Sequence, residues 1–128
     1  MGYESHVEGE IAFSRQLNGR ETRELRQHVS ALNCSYFLQP DVITQEIKTD
    51  EGILTRIQCQ GLVAPGKTGK ARDLEKDLAA IILTLPRDVT CAGYIERIGE
   101  DFPDAERLHV IGRRVISVKP SITWPDPK

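Results

Sequence analysis

The residues with the clearest chemical pattern form the segment Gly61-Leu62-Val63-Ala64-Pro65-Gly66-Lys67-Thr68. This segment matches G-x-x-x-x-G-K-[ST], the phosphate loop, in which backbone N–H groups surround a phosphate and the lysine contacts it. One hypothesis is therefore a nucleotide-binding protein, in which the phosphate would be held by Gly61, Gly66, Lys67 and Thr68.

Three features of the sequence argue against that hypothesis. Pro65 has no N–H group to offer to a phosphate. The residues before Gly61 alternate between apolar and polar after a hairpin turn, which is typical of an antiparallel strand rather than a buried parallel one. The acidic candidates for a magnesium ligand, Glu100 and Asp101, do not follow a buried strand. We therefore interpret residues 64–70 as a flexible loop in which Gly66 and Gly69 supply turns, and we expect no cofactor.

Other residue types do not form a recognisable catalytic or metal-binding pattern. None of the three histidines stands at ligand spacing from another, and the three cysteines are odd in number and widely spaced, so buried thiols are expected. Glu4, Glu8 and Glu10 lie on one face of a strand and could bind a hard cation or act as an acid–base pair. A solvated strand face gives the same pattern, and we prefer that interpretation.

The composition is that of an ordinary globular protein. The chain has 128 residues, of which 39% are hydrophobic, and 17 basic against 19 acidic side chains give a net charge of −2. This balance gives no general attraction to nucleic acid.

A nucleic-acid-binding module stays a second alternative, and its contacts would come from Lys67, Lys70, Arg72, Arg113 and Arg114. No apolar run reaches the ~18 residues of a membrane span. The expectation is a cytoplasmic protein.

Hydrophobic periodicity predicts the order β-α-β-β-α-β-β-β. Residues 3–13 alternate as a half-buried strand, and Asn18-Gly19 begins a short amphipathic helix that ends near Asn33. Two strands, 42–49 and 53–63, flank a turn at Asp50-Glu51-Gly52. A second helix carries the apolar stripe from Leu74 to Leu85. Strands are predicted at 91–98, 106–111 and 114–119, and residues 121–124 could extend the last.

This order predicts one α+β domain over residues 1–128, with an antiparallel sheet of five to six strands and both helices packed on one face. Side-chain alternation places Ile53, Ile57, Cys59 and Val63 on one side of their strand. It leaves the opposite sheet face open and polar, and the residues expected to point away from the helices are Glu8, Glu10, Arg56, Gln58 and Gln60.

Three short stretches resemble a known family. They are the start Met1-Gly2-Tyr3, the turn Thr49-Asp50-Glu51-Gly52, and the terminal Trp124-Pro125 that follows Gly93-Tyr94-Ile95. Together they resemble a family of small proteins from actinobacteria and their bacteriophages, catalogued as a domain of unknown function. The resemblance implies a phage or prophage accessory protein that acts inside a bacterial cell, and it supplies no catalytic residues.

The leading hypothesis is a non-enzymatic protein that binds another protein, from host or phage, or itself. The expected binding surfaces are the open sheet face (Glu8, Glu10, Arg56, Gln58 and Gln60) and the acidic loop around Phe102. An exposed edge strand offers another route, by pairing across two subunits.

Overall fold

The computed structural model describes residues 3–101 and 103–120 of the chain. One sheet contains six antiparallel strands in the order β2-β3-β1-β4-β5-β6, and two helices complete an α+β fold in the predicted order. The elements are β1 (Ser5–Leu17), α1 (Gly19–Ser30), β2 (Gln39–Thr49), β3 (Gly52–Gly69), α2 (Leu74–Thr84), β4 (Cys91–Gly99), β5 (Ala105–Gly112) and β6 (Arg114–Val118). The predicted extension at 121–124 lies outside the described residues.

Helix α1 begins where the sequence predicts it to begin. The side chain of Asn18 accepts a hydrogen bond from the backbone of Glu21, and the Glu21 carboxylate accepts one from the backbone of Asn18. This capping box satisfies two N–H groups that the first turn leaves without helical partners. Leu25 and Val29 are buried against the sheet. A short 3-10 helix over Asn33–Tyr36, which the hydrophobic pattern does not predict, continues toward β2.

Helix α2 lies on the same face of the sheet as α1, and the two helices contact each other. Its buried stripe includes Leu74, Leu78, Ile81 and Ile82, and it ends at Thr84, just before Pro86. Neither helix of the described chain is long and apolar enough to cross a membrane. The core between helices and sheet is formed on the sheet side by Val7, Ile11, Leu17, Cys59, Leu62, Ala64, Cys91, Ile95, Leu108 and Val110.

A β-bulge in β3 makes one part of the predicted side-chain alternation wrong. Asp41 pairs with Gly61 while its neighbour Val42 pairs with Cys59, so Gln60 is an extra residue on β3. An extra residue reverses which side chains face the core beyond it. Leu62 and Ala64 are therefore buried. Val63, predicted on the same side as Cys59, instead lies opposite Glu10 on the uncovered face.

The hairpin of β2 and β3 extends past the helices. We call residues 44–57 the β2–β3 arm. Every β3 residue from Gly52 to Ile57 is exposed, and Ile53 and Leu54 are 65% and 55% exposed. The sequence predicts half-buried strands here because apolar residues recur at the right period. They stay exposed because the buried core begins on this strand only at Cys59.

Candidate functional site

The face of the sheet opposite the helices, called here the open face, has a groove of about 950 Å³ across its central strands. Gly9 of β1 and Gly93 of β4 have φ angles of 141° and 139°. A Cβ atom on either would collide with a backbone carbonyl of the neighbouring strand. The two backbones therefore approach each other at the groove floor more closely than larger residues would allow.

The open face is organised in rows of residues that lie opposite one another on adjacent strands. One row runs Val63, Glu10, Tyr94, His109 and Ile116 from β3 to β6. The next row runs Pro65, Glu8, Glu96, Arg107 and Val118. Because opposite residues share a face, each row places its side chains side by side over the uncovered sheet.

One half of the open face is acidic. Glu8 and Glu10 of β1 lie in the groove, and Asp41 lines it from β2. The Asp41 carboxylate accepts a hydrogen bond of 2.8 Å from the side chain of Gln60. Glu8 is 3.5 Å from Nε2 of His6. Within the described part of the chain Glu10 has no ion pair, so this half presents negative charge to solvent.

Arg107 neutralises the acidic residue nearest the middle of the face. Its Nε donates a hydrogen bond of 2.8 Å to Glu96, and the pKa of the Arg107 guanidinium is raised because it bonds to that carboxylate. The guanidinium also lies 5.0 Å from the centre of the Tyr94 ring. This position suits a cation–π contact and holds the ring at the boundary between the two halves.

The other half of the open face carries exposed apolar side chains among the charged residues Glu96, Arg107 and Arg114, so the prediction that this face is polar is only partly right for β4, β5 and β6. Its exposed apolar side chains, called here the apolar patch, are Tyr94, Ile98, Ile111, Ile116 and Val118. Each is between 40% and 64% exposed. Single exposed apolar side chains are ordinary, but several on one uncovered face are a common feature of interaction surfaces. Strand periodicity alone missed the patch because both sides of β5 and β6 carry apolar residues.

The structure brings together only some of the residues predicted for the binding face. Glu8, Glu10 and Gln60 line the groove. Arg56 and Gln58 lie opposite Gln45 and Ile43 of β2, beyond the bulge and outside the groove. Phe102 lies outside the described residues. The groove and the exposed apolar side chains therefore extend toward β4, β5 and β6, beyond the residues predicted for the binding face.

The segment that resembles a phosphate loop is part of a β-strand. Residues Gly61, Leu62, Val63, Ala64, Pro65, Lys67 and Thr68 all pair with β1, and α2 begins only at Leu74. The prediction of a flexible loop over residues 64–70 is therefore wrong for residues 64–69. These residues belong to β3, because its pairing with β1 continues past a bulge at Gly66. A phosphate loop folds around its anion and leads directly into a helix. This segment is extended instead.

The side chains at the end of this segment contact other parts of the protein. The ammonium group of Lys67 lies 4.9 Å from the centre of the Tyr36 ring. The hydroxyl oxygen of Thr68 is 3.0 Å from Nδ1 of His6. Lys67 lies opposite the buried residue Val7, whereas Thr68 lies opposite His6 on the open face. The two residues therefore point to opposite sides of β3 and do not converge on one ligand.

Three of the five basic residues proposed for nucleic-acid binding, Lys67, Arg113 and Arg114, do not share a surface. Arg113 turns inward and donates hydrogen bonds to the carbonyl oxygens of Leu85, Pro86 and Val89, at 3.1, 2.8 and 3.0 Å. Arg114 lies opposite Ile111 on the open face. Lys67 contacts Tyr36 on the helix side of the sheet. Arg113 therefore holds the segment after α2 against the end of β5.

A second cluster of charges lies at the far end of β4. Arg97, whose side chain is 14% exposed, donates hydrogen bonds to Asp104 at 2.8 Å and to Glu106 at 2.9 Å. The hydrogen bonding from Arg97 to Asp104, with one bond from the Tyr3 hydroxyl, lowers the pKa of Asp104 to about 2. Ser5 and Ser117 hydroxyls complete the network. Because its polar atoms bond mainly to one another, this cluster fastens β1, β4, β5 and β6 together.

The cysteines are buried, as predicted, and free. Burial, with a smaller contribution from the Asp77 carboxylate, raises the pKa of the Cys34 thiol to about 11. Burial likewise raises the pKa of Cys59 and Cys91. Thiols with raised pKa values are poor nucleophiles near neutral pH. Within residues 3–101 and 103–120, no cluster of three or more histidine, cysteine or acidic side chains could hold a metal ion.

No family model, curated protein or solved structure matches this chain. The open face is therefore the candidate site on geometric grounds: a groove with acidic residues on one side and the apolar patch on the other.

Proposed function

We propose that this protein is a non-enzymatic binding module whose open face binds a partner protein. The partner would present apolar side chains flanked by lysine or arginine. The observation that carries the proposal is the apolar patch, which lies on a sheet face that neither helix covers. The resemblance to small actinobacteriophage proteins adds the context of an accessory protein inside a bacterial cell.

The apolar patch supplies the favourable free energy. Burying apolar surface contributes about 25 cal/mol per Å², and the patch contains four aliphatic side chains and one tyrosine at least 40% exposed. Tyrosine is enriched among the residues that dominate binding energy, because its large ring is rigid and its hydroxyl can still form a hydrogen bond. Tyr94 belongs to the patch and also lines the groove, so we expect it to contribute most.

The acidic half supplies the selectivity. Glu8, Glu10 and Asp41 line the groove beside the patch. Among the described residues, these three carboxylates form one ion pair, that of Glu8 with His6. A partner with basic side chains beside its apolar ones would satisfy both halves at once. An acidic partner would be repelled, since like charges brought together at an interface cost several kcal/mol.

The test is a peptide array read with labelled protein. Its peptides share one apolar core and carry either lysine or glutamate on both sides. We expect binding to the lysine-flanked set only, and a loss of about 30-fold on Tyr94→Ala, the size of a typical hot-spot residue. Glu10→Gln should lower the preference for lysine without abolishing binding.

Glu24→Gln is the matched control, since Glu24 is exposed on α1, on the helix side of the molecule, where it pairs with Arg20. Equal binding of the two peptide sets, or equal binding by the wild type and the Tyr94→Ala variant, would refute the proposal.

A further inference from the structure

We infer that two copies of this protein associate through strand β6, in antiparallel register about a two-fold axis at Ile116. This association uses the edge of the sheet, so it is independent of what the open face binds. Joining two β6 strands would produce one continuous sheet of twelve strands from two chains of six.

β6 is the sheet edge better suited to pairing. Within the part of the chain that the structure describes, β6 is hydrogen bonded only to β5. From Val115 to Val118 it has no charge and no proline. The opposite edge strand, β2, contains Pro40, Asp41, Glu46 and Lys48. Proline and charged residues are the features that protect an edge strand from pairing with another chain.

The outward-facing backbone groups of β6 follow from its hairpin. Ile111 and Arg114 flank the turn at Gly112 and Arg113, in which Gly112 has a φ of 65°. In a two-residue hairpin the flanking residues exchange hydrogen bonds, so alternate residues after them point the other way. Val115 and Ser117 therefore direct their N–H and C=O groups away from β5, toward a second strand.

The strand is complementary to itself in this register. With Ile116 on the axis, Val115 pairs with Ser117 of the second copy, and Arg114 lies opposite Val118. No like charges stand directly opposite each other within these five residues, and cross-strand pairs of β-branched residues stabilise a sheet. Pro120 lacks an N–H group, which limits the pairing beyond Val118.

The second copy also extends the apolar patch. Ile116 and Val118 lie on the open face of β6, so the patches of two copies would meet at the seam. Two binding surfaces on one rigid sheet would allow a bivalent partner to bind with higher apparent affinity. Since five paired residues form a small interface, we expect a dissociation constant between about 1 µM and 1 mM.

Cysteine crosslinking tests the register directly. The two Ile116 residues form a non-hydrogen-bonded pair with Cα atoms about 4.5 Å apart, within the range that a disulfide spans. We expect Ile116→Cys to give a covalent dimer under mild oxidation. Ile111→Cys, more exposed but one strand away, should not. The native cysteines are buried and should not interfere. Equal crosslinking of both variants would overturn the register.

Sedimentation analysis tests the association itself. The protein concentration should reach about 1 mM, the largest dissociation constant expected. Ser117→Pro removes an outward N–H, and Ser117→Ala loses only the hydrogen bond from the Ser117 hydroxyl to Glu106. We expect dimers for wild type and Ser117→Ala, and monomers for Ser117→Pro. If Ser117→Pro fails to fold, Ile116→Lys, at a half-exposed position, should give monomers through charge repulsion on the axis. A monomeric wild type, or a dimeric Ile116→Lys variant, would refute the inference.

Discussion

Single residues decide how closely the central strands can approach. Gly9 has a φ of 141°. A Cβ atom at this position would also collide with the Tyr94 carbonyl of β4. Gly52 has a similar φ of 136° but has no atom within 4 Å of that position. Alanine substitution at Gly52 would therefore test backbone strain alone, whereas substitution at Gly9 would add a collision.

We predict that Gly9→Ala destabilises the protein more than Gly52→Ala does. Alanine at the φ of Gly52 should cost about 1–3 kcal/mol of unfolding free energy, from backbone strain alone. Gly9→Ala should cost about 1–3 kcal/mol more, because the β1 and β4 backbones must separate. Urea unfolding of both variants measures the difference. Equal losses would mean that the strands approach less closely than described.

At the scale of elements, the two helices are held by different means. Helix α1 is fixed locally by its capping box. At the start of α2, Asp73 has a left-handed φ of 56° and forms no side-chain cap. At its other end, Arg113 donates hydrogen bonds to the carbonyl oxygens of Leu85, Pro86 and Val89, in the segment that follows the helix. A residue distant in sequence therefore holds the end of α2.

Replacing Arg113 should destabilise the protein although the residue is in a turn. Arg113→Gln would lose hydrogen bonds from a charged donor, each contributing about 1.5–3 kcal/mol, so we expect a loss of at least about 2 kcal/mol. Arg114→Gln is the control, because Arg114 is exposed and should change stability by about 0.5 kcal/mol or less. Thermal and urea unfolding provide the measurement. An unchanged Arg113→Gln variant would show that α2 does not depend on these bonds.

For the whole molecule, stability should be distributed unevenly along β3. Near Leu62 and Val63 this strand lies between β1 and β2 and beneath the helices. In the β2–β3 arm the same strand pairs only with β2, and its side chains are exposed. Regions with few buried contacts open locally at lower free energy than the core does.

Hydrogen exchange should therefore divide β3 at its bulge. We expect hydrogen-bonded amides between residues 53 and 57 to exchange at least about 100-fold faster than those of residues 62–64, since the arm can open without unfolding the core. Exchange measured by nuclear magnetic resonance or mass spectrometry gives both rates in one experiment. Similar protection on the two sides of Gln60 would contradict a separately opening arm.

Much of the architecture could be predicted because it depends on local patterns. The α+β order, the two helices on one face, the turn before Gly52 and the buried cysteines all follow from periodicity, turn residues and hydrophobicity. The bulge at Gln60 could not be predicted, since it depends on how β3 pairs with both neighbours. For the same reason the sequence placed Val63 on the wrong side and ended β3 too early.

The sequence by itself determined which segments become strands and helices, because each segment's own residues set its period and its ends. The tertiary structure decided which faces are covered. It left Ile98, Ile111 and Ile116 exposed beside the acidic groove, directed Arg113 toward α2, and kept Lys67 and Thr68 in an extended strand. The physical reason is that exposure depends on neighbours distant in the chain, whereas periodicity records only the alternation along a single strand.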